Sequence, residues 1–492
     1  MSNILLIKTS KSNLPDKGLS PPLGILYLIA YLRKHRPADV IKMIDLRLER
    51  DGGQAIATLC RDFVPDIIGF STMTIEANNM HVMAQWCKQR FPLSRIIVGG
   101  PHATSFGRHV IADPNIDYVL AGEGEAVFLK LLNAIDHGSP LSDLPGLSYR
   151  KPDGTIISRA PTQELLDLTT LPPPAWDLHN FDRYTDSRMS PISLGRYAAL
   201  FTSRGCPYQC TYCHSIFSKR YRALPPLQVV DDIEYLINTY NIQELEIYDD
   251  SFNLHYNRTM AICDEIIRRG LKIRLLFPNG VRGDLLDEAL IKRLRQAGTI
   301  YMVFAVESAS ERIQQAIKKN VNLDKIRQNI RIAARAGIFT WGFFMMGFPG
   351  ETRRELWRTA KYAIASALHG GFFFIVVPQA GTELGRQVGV DAGNYATIKA
   401  ADYFATRNTI SAVSHWELWL WQLLTCFFFY AHPARLYRIL KDYPYSPGAF
   451  CRKAFRRGLV FLFVTFLRNV SDRLRSGKKH ARVSPVDEAL RC

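Results

Sequence analysis

The apolar positions of this 492-residue chain fall into two series of short β-branched and aromatic runs, separated by stretches with helical periodicity. In the first series the runs that predict strands are 4–7, 40–44, 67–71, 96–99 and 118–121. Strands that alternate with amphipathic helices at this spacing indicate a doubly wound parallel sheet. We therefore predict an α/β domain over residues 1–144.

A second series of alternating strands and helices begins near residue 191. Its predicted strands are 197–203, 244–249, 274–278, 301–306, 341–347 and 372–378, with helices such as 230–240 and 284–297 between them. Six such units predict a partial (β/α)6 barrel over residues 191–385 rather than the full eight. The intervening segment 145–190 has few periodic apolar positions and is predicted to be a linker. Residues 386–492 are predicted to form a basic, apolar and mainly helical region.

The carboxyl ends of the first domain's strands carry small and polar residues. Ser71 ends the third strand, Gly99 and Gly100 follow the fourth, and Glu123 lies in the Gly-Glu-Gly-Glu sequence after the fifth. Ligands of doubly wound sheets bind at this edge, and glycine lets the backbone approach a ligand closely. Glycine is also common in simple turns after strands, so the pattern is consistent with a ligand site or with ordinary turns.

Polar residues also follow the predicted barrel strands. They lie at the reactive face of a β/α barrel and are Cys206, Asp249, Asp250, Asn279 and Glu307. Packing alone does not explain polar residues at the same end of every strand, so we expect a functional site there. Helix caps and ion pairs are the alternative for the acidic members of this set.

The sequence CPYQCTYC places Cys206, Cys210 and Cys213 in one short loop after the first barrel strand. Three thiolates can hold three irons of a cubane iron–sulfur cluster and leave the fourth iron open. The alternative is a zinc site with His214 as the fourth ligand. The other cysteines occur singly and are interpreted as core or surface residues: Cys60, Cys87, Cys263, Cys426, Cys451 and Cys492.

The three cysteines, with Tyr212 directly before the last one, resemble the signature of the radical S-adenosylmethionine enzymes. In that family the cysteines hold a 4Fe–4S cluster whose open iron binds S-adenosylmethionine. An electron from the cluster cleaves S-adenosylmethionine to a 5'-deoxyadenosyl radical. The resemblance implies that Cys206, Cys210 and Cys213 are the metal-binding and catalytic residues, and that Tyr212 lies near the adenine.

Further motifs follow in the order of that family, at residues 248–252, 306–310, 347–352 and 378–382. By this resemblance Glu307 and the residues around Ser251, including Asp250, contact the polar ends of S-adenosylmethionine. The resemblance covers about residues 1–385 and fades after that.

The first domain is similar to the cobalamin-binding domain that precedes one class of these enzymes. The shared features are the Pro-Pro-Leu-Gly sequence that opens the first helix, Ser71, and the pair Gly99-Gly100; Glu123 lies at the same edge. The motif whose histidine ligates cobalt is absent, because no histidine precedes His35. The resemblance implies cobalamin without that imidazole ligand, and the alternative is an inherited domain with an empty cleft.

These features predict an enzyme that uses a 5'-deoxyadenosyl radical, a 4Fe–4S cluster and cobalamin to methylate an unactivated carbon of a hydrophobic, lipid-like metabolite. Such a methyltransferase resembles the enzymes that methylate hopanoids and natural products. An oxidative cyclisation or rearrangement, as in the anaerobic magnesium-protoporphyrin monomethyl ester cyclase, is the alternative within the family. A non-catalytic cluster or cobalamin carrier is the alternative from another class. A reducing partner such as flavodoxin or ferredoxin is implied.

The net charge of +17 is concentrated near the C-terminus, where thirteen basic residues between 431 and 482 outweigh two aspartates. The apolar runs 416–430 and 458–467 are shorter than the roughly 20 residues that a membrane-spanning helix needs. They favour either helices lying on an anionic membrane surface or helices that cap the barrel. Nucleic acid is disfavoured as a partner. The N-terminus lacks a signal-peptide pattern, so we expect a cytoplasmic enzyme that associates peripherally with the inner face of the membrane.

Overall fold

The computed structural model describes residues 1–11, 19–162, 165–187, 195–214, 216–390 and 410–445. The strands are β1 (Asn3–Lys8), β2 (Val40–Asp45), β3 (Ile67–Ser71), β4 (Arg95–Gly99), β5 (Tyr118–Leu120), β6 (Leu147–Arg150), β7 (Ile156–Ser158), β8 (Tyr197–Leu200), β9 (Ser203–Arg204), β10 (Arg222–Ala223), β11 (Glu244–Ile247), β12 (Arg274–Val281), β13 (Thr299–Glu307), β14 (Phe339–Met346) and β15 (Gly370–Ile375). The α-helices are α1 (Leu23–His35), α2 (Gly52–Leu59), α3 (Ala77–Arg90), α4 (Pro101–Val110), α5 (Gly124–His137), α6 (Phe181–Ser187), α7 (Pro226–Tyr240), α8 (Tyr256–Arg268), α9 (Glu288–Gln296), α10 (Glu311–Ala316), α11 (Leu323–Arg335), α12 (Arg353–Ile364), α13 (Glu383–Gln387), α14 (His415–Tyr430) and α15 (Pro433–Asp442).

Five strands of the first sheet run parallel in the order β2-β1-β3-β4-β5. Successive residues of β1 point to opposite faces, so Leu5 and Ile7 join one apolar cluster while Ile4 and Leu6 join another. Helices α2, α3 and α4 pack on the face of Leu5 and Ile7, and helices α1 and α5 pack on the face of Ile4 and Leu6. The doubly wound sheet predicted from the sequence is confirmed.

Two strands within the segment that we expected to be a linker, 145–190, extend this sheet. Strand β6 pairs antiparallel with β5, and β7 pairs antiparallel with β6. Leu147 is fully buried, whereas the residues of β7 are partly or fully exposed. Such strands need few buried apolar residues because they add to an edge that already exists. The periodicity of the sequence therefore did not predict them.

Six parallel strands form the second sheet in the order β8-β11-β12-β13-β14-β15, as predicted for a partial barrel. Phe304 and Phe344 point outward into the largest apolar cluster, to which helices α7, α8, α9, α11 and α12 contribute. The carboxyl ends of the six strands meet at one edge, which brings the loops that follow them together.

The first predicted barrel strand, 197–203, is shorter in the structure. Strand β8 ends at Leu200, and β9 turns away to pair antiparallel with β10. The Asp249 carboxylate accepts hydrogen bonds of 2.6 Å from the Thr202 backbone N–H and from the hydroxyls of Thr202 and Ser203. These bonds hold the chain in a turn, because the carboxylate satisfies a backbone donor that a continued strand would have paired with its neighbour.

Helix α14 packs one face against the outside of the barrel. Leu418 and Phe429 are fully buried, and the Gln422 amide donates a hydrogen bond of 2.6 Å to the Phe373 carbonyl. Helix α15 is anchored by Arg435, whose buried guanidinium donates to carbonyls at and after the end of α12. Helix α14 thus covers the outer wall of the barrel next to β15, whereas Ile439 of α15 packs with Phe339 and Tyr301 of the barrel strands. The predicted apolar run 458–467 lies outside the described residues.

No helix in the described ranges combines the length and the apolar character needed to cross a bilayer. Of the six single cysteines, Cys60, Cys87 and Cys263 are buried and Cys426 is partly buried. Cys451 and Cys492 lie outside the part of the chain that the structure describes.

Candidate functional site

The cysteine loop begins at Gly205, directly after β9. This residue has φ +84°, and a Cβ atom there would lie 2.3 Å from the Arg220 carbonyl oxygen. Only glycine can occupy such a position without moving the backbone, because both the torsion angle and the contact exclude a side chain. The Gly205 N–H also donates to the Asp250 carboxylate (3.2 Å). The start of the loop is therefore fixed against the segment that follows β11 and carries Asp250.

Two backbone hydrogen bonds hold the middle of the cysteine loop against the opposite side of the barrel mouth. The Thr211 N–H donates to the Ile317 carbonyl (3.0 Å), and the Leu384 N–H donates to the Thr211 carbonyl (2.8 Å). Within the loop, the Cys213 N–H donates to the Cys210 carbonyl (3.1 Å). The loop thus spans the carboxyl edge of the sheet rather than extending into solvent.

The three thiols are partly buried, and burial, with smaller effects of Asp250 and Cys210, raises the pKa of Cys206. Burial, with a smaller effect of its neighbours, raises the pKa of Cys213 to about 11. Within the described ranges, no three Cys, His, Asp or Glu side chains converge on one metal position. A single zinc ion needs ligands around one point, whereas a cubane cluster takes each thiolate on a different iron. Three thiolates in one loop are the ligand set of such a cluster.

A buried polar group lies beside the cysteine loop. Glu307 ends β13 with φ +66°, an uncommon conformation for a residue other than glycine, and its carboxylate accepts a hydrogen bond of 2.9 Å from Lys319. The Lys319 ammonium is also 3.3 Å from the Tyr212 hydroxyl, and the Tyr212 ring packs on Phe348 with a centroid distance of 5.9 Å. Burial, followed by the nearby Glu307 carboxylate, raises the pKa of Tyr212 well above its usual range.

The structure brings Tyr212 and Glu307, two of the predicted site residues, to the same buried lysine. Lys319, which links them, was not among the predicted residues. It follows a short helix in the sequence Lys-Lys-Asn, which has no distinctive motif. A buried lysine that bridges two predicted site residues can be recognised only once the fold is known.

Asp250 and Ser251 are at the same mouth, after β11. Asp250 is held by the Gly205 N–H, and burial raises the pKa of its carboxyl group, although nearby His214 and Lys219 oppose this. Ser251 is buried at the start of a short turn. Asn279 on β12 donates to the Tyr248 carbonyl (2.7 Å) and so supports the loop that carries both residues.

Arg282 is a second residue that the sequence did not suggest. Its guanidinium lies 3.8 Å from the centroid of the Tyr208 ring in the cysteine loop, and it pairs with Asp284 at 3.1 Å. It also donates to the Asn320 carbonyl (3.1 Å). Arg282 therefore holds the cysteine loop at Tyr208 through a cation–π contact.

The carboxyl edge of the first domain is lined by small residues. Ser71 and Gly99 are register partners on β3 and β4. Gly100 has φ +93°, and a Cβ atom there would lie 3.0 Å from the Thr72 nitrogen and 3.3 Å from the Ser71 hydroxyl. Ser71, Gly99 and Gly100 thus lie together, and an edge without bulky side chains fits a large flat ligand such as a corrin ring.

A buried ion pair lies next to this edge, at Lys8 and Glu76. Lys8 is the register partner of Ser71, and its ammonium contacts the Glu76 carboxylate, which also accepts from the Thr9 hydroxyl (2.8 Å). Burial lowers the pKa of Lys8, although Glu76 opposes this effect. The neighbouring segment 12–18, where the cobalt-ligating motif would fall, is outside the described residues.

The chain matches two family models. The model of the radical SAM superfamily matches residues 200–363, and the model of the B12 binding domain matches residues 15–132. The first match contains the cysteine loop, Asp250 and Glu307, and the second contains Ser71, Gly99, Gly100 and Glu123.

Three similar proteins illustrate this relationship. An uncharacterized methyltransferase, PH0819, of Pyrococcus horikoshii is 31% identical over 74% of this chain and 77% of the relative. An anaerobic magnesium-protoporphyrin IX monomethyl ester cyclase of Rubrivivax gelatinosus is 28% identical over 70% of this chain and 62% of the relative. The solved structure of the methyltransferase TsrM of Kitasatospora setae, with cobalamin and a 4Fe–4S cluster, has a TM-score of 0.65 and 18% identity, covering 79% of this chain and 75% of TsrM.

The fold and the site define a two-domain radical S-adenosylmethionine enzyme. The chain belongs to the radical SAM superfamily, in the group whose members carry an N-terminal B12-binding domain. Its cofactors are a 4Fe–4S cluster, S-adenosylmethionine and cobalamin. Membership of this family identifies the chain as an enzyme and not as the cluster carrier that we considered from the sequence.

Proposed function

We propose that the enzyme methylates an unactivated carbon of a hydrophobic metabolite. The observation that carries the proposal is a wall of aromatic rings on the inner face of β14 and β15. This aromatic wall consists of Trp341, Phe343, Phe372 and Phe374, all of which are partly exposed. Their ring centroids are 4.7 Å apart for Trp341 and Phe372, and 5.5 Å for Phe343 and Phe374.

The aromatic wall is distinct from the core packing of the same strands. Phe344 and Phe373 alternate with the residues of the wall, point to the outer face, and are fully buried with a stacked ring distance of 5.2 Å. The fold is therefore stabilised by one aromatic layer while a second layer remains accessible from inside the barrel. Gly370 leaves room for this arrangement, because a Cβ atom there would lie 2.2 Å from the Trp341 ring.

The aromatic wall is closed at one end and leads to the cysteine loop at the other. At the amino ends of the strands, Trp341 and Phe343 pack in one cluster with Ile439 and Tyr443. At the carboxyl ends, Phe374 shares a cluster with Tyr212. A substrate that buries an apolar or planar part against these rings would present its outer end to the cofactors, which favours a hydrophobic substrate.

The residues at the barrel mouth have the following proposed roles. Cys206, Cys210 and Cys213 hold the cluster, which supplies the electron for S-adenosylmethionine cleavage when bound. Tyr212 contacts the adenine, and Glu307, oriented by Lys319, accepts hydrogen bonds from the polar part of S-adenosylmethionine. The roles proposed for Asp250 and Ser251 are contacts to the same polar part.

Ser71, Gly99, Gly100 and Glu123 are proposed to form the edge that receives cobalamin. The group would supply the site from which a methyl group reaches the substrate carbon. A reducing protein such as flavodoxin or ferredoxin would deliver the electrons.

The experiment uses the reconstituted enzyme under anaerobic conditions with a reductant and S-adenosylmethionine that carries a deuterated methyl group. Hydrophobic and polar metabolite fractions are supplied separately and analysed by mass spectrometry. We expect the label in a hydrophobic product, together with S-adenosylhomocysteine and 5'-deoxyadenosine. A Cys213→Ala variant serves as control, and label found only in the polar fraction would contradict the proposed substrate class.

A radical cyclisation is the second candidate, favoured by the similarity to the magnesium-protoporphyrin ester cyclase. A porphyrin is a planar apolar molecule, so the aromatic wall is compatible with this chemistry as well. The same experiment separates the two candidates, because cyclisation forms 5'-deoxyadenosine without S-adenosylhomocysteine and without incorporation of the label.

We also propose that the enzyme docks on an anionic membrane through the outer face of α14. The exposed side chains of that face are apolar, namely Trp416, Leu420, Leu423, Leu424, Phe427 and Phe428. The neighbouring α12 exposes Arg354, Arg358 and Lys361. Apolar side chains beside cations are typical of helices that lie in a membrane interface.

Flotation with vesicles tests the docking face. Binding to vesicles that contain phosphatidylglycerol, and its loss in a Phe427→Glu variant, would support membrane docking. The control is Leu93→Glu, since Leu93 is exposed on the first domain. Equal flotation of the Phe427→Glu and Leu93→Glu variants would contradict membrane docking through α14.

A further inference from the structure

Arg204 is the last residue before the glycine that opens the cysteine loop, and its side chain reaches the first domain. One guanidinium nitrogen is 3.0 Å from the Glu123 carboxylate, and another is 2.7 Å from the Glu125 carboxylate. Arg204 is only 3% exposed, and both carboxylates are buried or nearly so. Glu123, directly before α5, and Glu125, in the first turn of α5, therefore meet a cation of the barrel domain in a buried interface.

Arg222 makes the second connection from the barrel domain to Glu123. It lies on β10, is the register partner of Arg204 on β9, and pairs with the other oxygen of the Glu123 carboxylate. Its guanidinium also donates to the Leu166 carbonyl (2.7 Å). The chain enters the cysteine loop at Arg204 and leaves it at Arg222. Both ends of the loop are thus attached to one glutamate of the cobalamin-binding domain.

Aromatic side chains fix the orientation of the Arg204 guanidinium. Its central carbon lies 5.1 Å from the ring centroid of Tyr27 on α1 and 5.2 Å from that of Phe217 in the cysteine loop. Tyr27 belongs to the first domain and Phe217 to the second, so the cation lies between rings of both domains. Burial opposes ionisation of Glu125, but the Arg204 guanidinium more than offsets this and lowers the pKa of Glu125.

The group of two arginines and two glutamates is balanced in charge. An apolar interface could also hold two domains together, but it tolerates sliding because its contacts have no preferred direction. Paired guanidinium and carboxylate groups allow few relative orientations, because their hydrogen bonds are directional. A buried polar group of this kind can fix the register of two packed surfaces.

The same turn reaches the edge that we assign to cobalamin. The Gly122 N–H, directly before Glu123, donates a hydrogen bond of 3.0 Å to the Thr104 hydroxyl on α4. The first turn of α4 follows Gly100, and the Thr104 N–H donates to the Gly100 carbonyl (3.0 Å). A continuous path of hydrogen bonds and ion pairs therefore connects Gly100 to Arg204 and the cysteine loop.

We propose that Arg204, Arg222, Glu123 and Glu125 form an interdomain clamp that sets the distance between the cluster and cobalamin. Arg204, Arg222 and Glu125 are positioning residues that act through the cysteine loop and the edge at Gly100, and Glu123 links them to that edge. The inference rests on the proposed assignment of the two cofactor sites. It adds that ion pairs fix the separation of the two sites.

The first test uses the protein without cofactors and measures amide hydrogen exchange. We expect Glu125→Gln to speed exchange at residues on both sides of the clamp, in 118–128 and in 200–206, because a buried arginine loses one of its partners. The control is Asp177→Asn, which removes the exposed ion pair between Asp177 and Arg33 of α1. Exchange in Glu125→Gln equal to that in the control would overturn the clamp, whatever the outcome for cobalamin.

The second test measures the distance between the reduced cluster and cob(II)alamin by dipolar electron paramagnetic resonance in the loaded enzyme. We expect one narrow distance in the wild type and in Asp177→Asn, and a distribution broadened about twofold in Glu123→Gln and Glu125→Gln. Arg204→Lys, which keeps the charge, should show a smaller change. An unchanged distribution in both glutamine variants would overturn the clamp. A wild-type enzyme that binds no cobalamin would contradict the proposed function instead, and the exchange test would still decide on the clamp.

Discussion

Lys319 donates a hydrogen bond of 2.9 Å to Glu307, and both side chains are buried beside the cysteine loop. Glu307 is held in a left-handed backbone conformation, which costs about 1–3 kcal/mol and persists only where surrounding contacts impose it. The same ammonium lies 3.3 Å from the Tyr212 hydroxyl. Lys319 therefore fixes the two residues to which we assign contacts with opposite ends of S-adenosylmethionine.

Replacing Lys319 with methionine should weaken S-adenosylmethionine binding by about tenfold or more, since a buried charged hydrogen bond contributes about 1.5–3 kcal/mol. The measurement is anaerobic equilibrium dialysis with the reconstituted enzyme. Lys318→Met is a matched control, because the neighbouring lysine forms a half-exposed ion pair with Glu383. Equal affinities of the two variants would show that Lys319 does not orient the binding site.

Gly205→Ala should prevent the cysteine loop from closing, because the added methyl group would lie 2.3 Å from the Arg220 carbonyl oxygen. We expect iron incorporation to fall severalfold while the far-ultraviolet circular dichroism stays near that of the wild type. Gly270→Ala is the control, since Gly270 has φ +64° with open space around it. That variant should cost only about 1 kcal/mol of stability and keep its iron. Normal cluster content in Gly205→Ala would contradict the assigned role of the loop.

Phe343 and Phe344 are neighbours that face opposite sides of β14. Phe344→Ala removes a fully buried ring and should lower the free energy of unfolding by about 3–5 kcal/mol, as measured in urea. Phe343→Ala should cost clearly less, because this ring is partly exposed inside the barrel. It should instead reduce transfer of the deuterated methyl group to the hydrophobic product while 5'-deoxyadenosine still forms. Undiminished transfer in Phe343→Ala would argue against the aromatic wall as the substrate site.

Because of Glu351, the free energy of unfolding should fall as the pH rises from about 5 to about 8. Burial raises the pKa of this carboxyl group to about 7, although it accepts hydrogen bonds from the Gly347 and Phe348 N–H groups. The folded state therefore binds a proton that the unfolded state releases near its ordinary pKa of 4.5. The resulting stabilisation is complete below pH 4.5 and is lost as the pH rises through 7. The free energy of unfolding should fall by about 3 kcal/mol in total.

Urea unfolding of Glu351→Gln across this range checks the assignment, because the glutamine variant should lack this part of the pH dependence. Glu355→Gln is the control. Its Arg312 partner lowers the pKa of Glu355 to about 2, so Glu355 stays ionised in the folded state throughout the range. Parallel profiles for the wild type and Glu351→Gln would contradict a neutral Glu351 in the folded enzyme.

Much of the fold could be predicted from the sequence because both sheets are built from buried parallel strands. In β13, for example, eight of nine residues are buried, and such a strand produces a continuous apolar run that is easily recognised. The edge strands β6 and β7 could not be found in this way, since neighbouring strands provide much of their stabilisation.

The site was predictable where its chemistry is local in sequence, as in the cysteine loop. Lys319, Arg282 and Arg204 were missed because each acts through a partner that is distant along the chain. Glu123 was predicted from its place at the sheet edge, but its ion pairs with Arg204 and Arg222 depend on how the two domains pack. Pairing between distant charges leaves no periodic or spaced pattern in a single sequence.

The most direct test of the account is anaerobic reconstitution with iron, sulfide and hydroxocobalamin, followed by iron and cobalt analysis and optical spectra. The account predicts about four irons in one cubane cluster and about one cobalamin per chain. The variant with alanine at Cys206, Cys210 and Cys213 should lose the cluster and retain cobalamin, because the two groups bind to different domains. A wild-type chain that assembles no cluster, or an alanine variant that keeps it, would contradict the central claim.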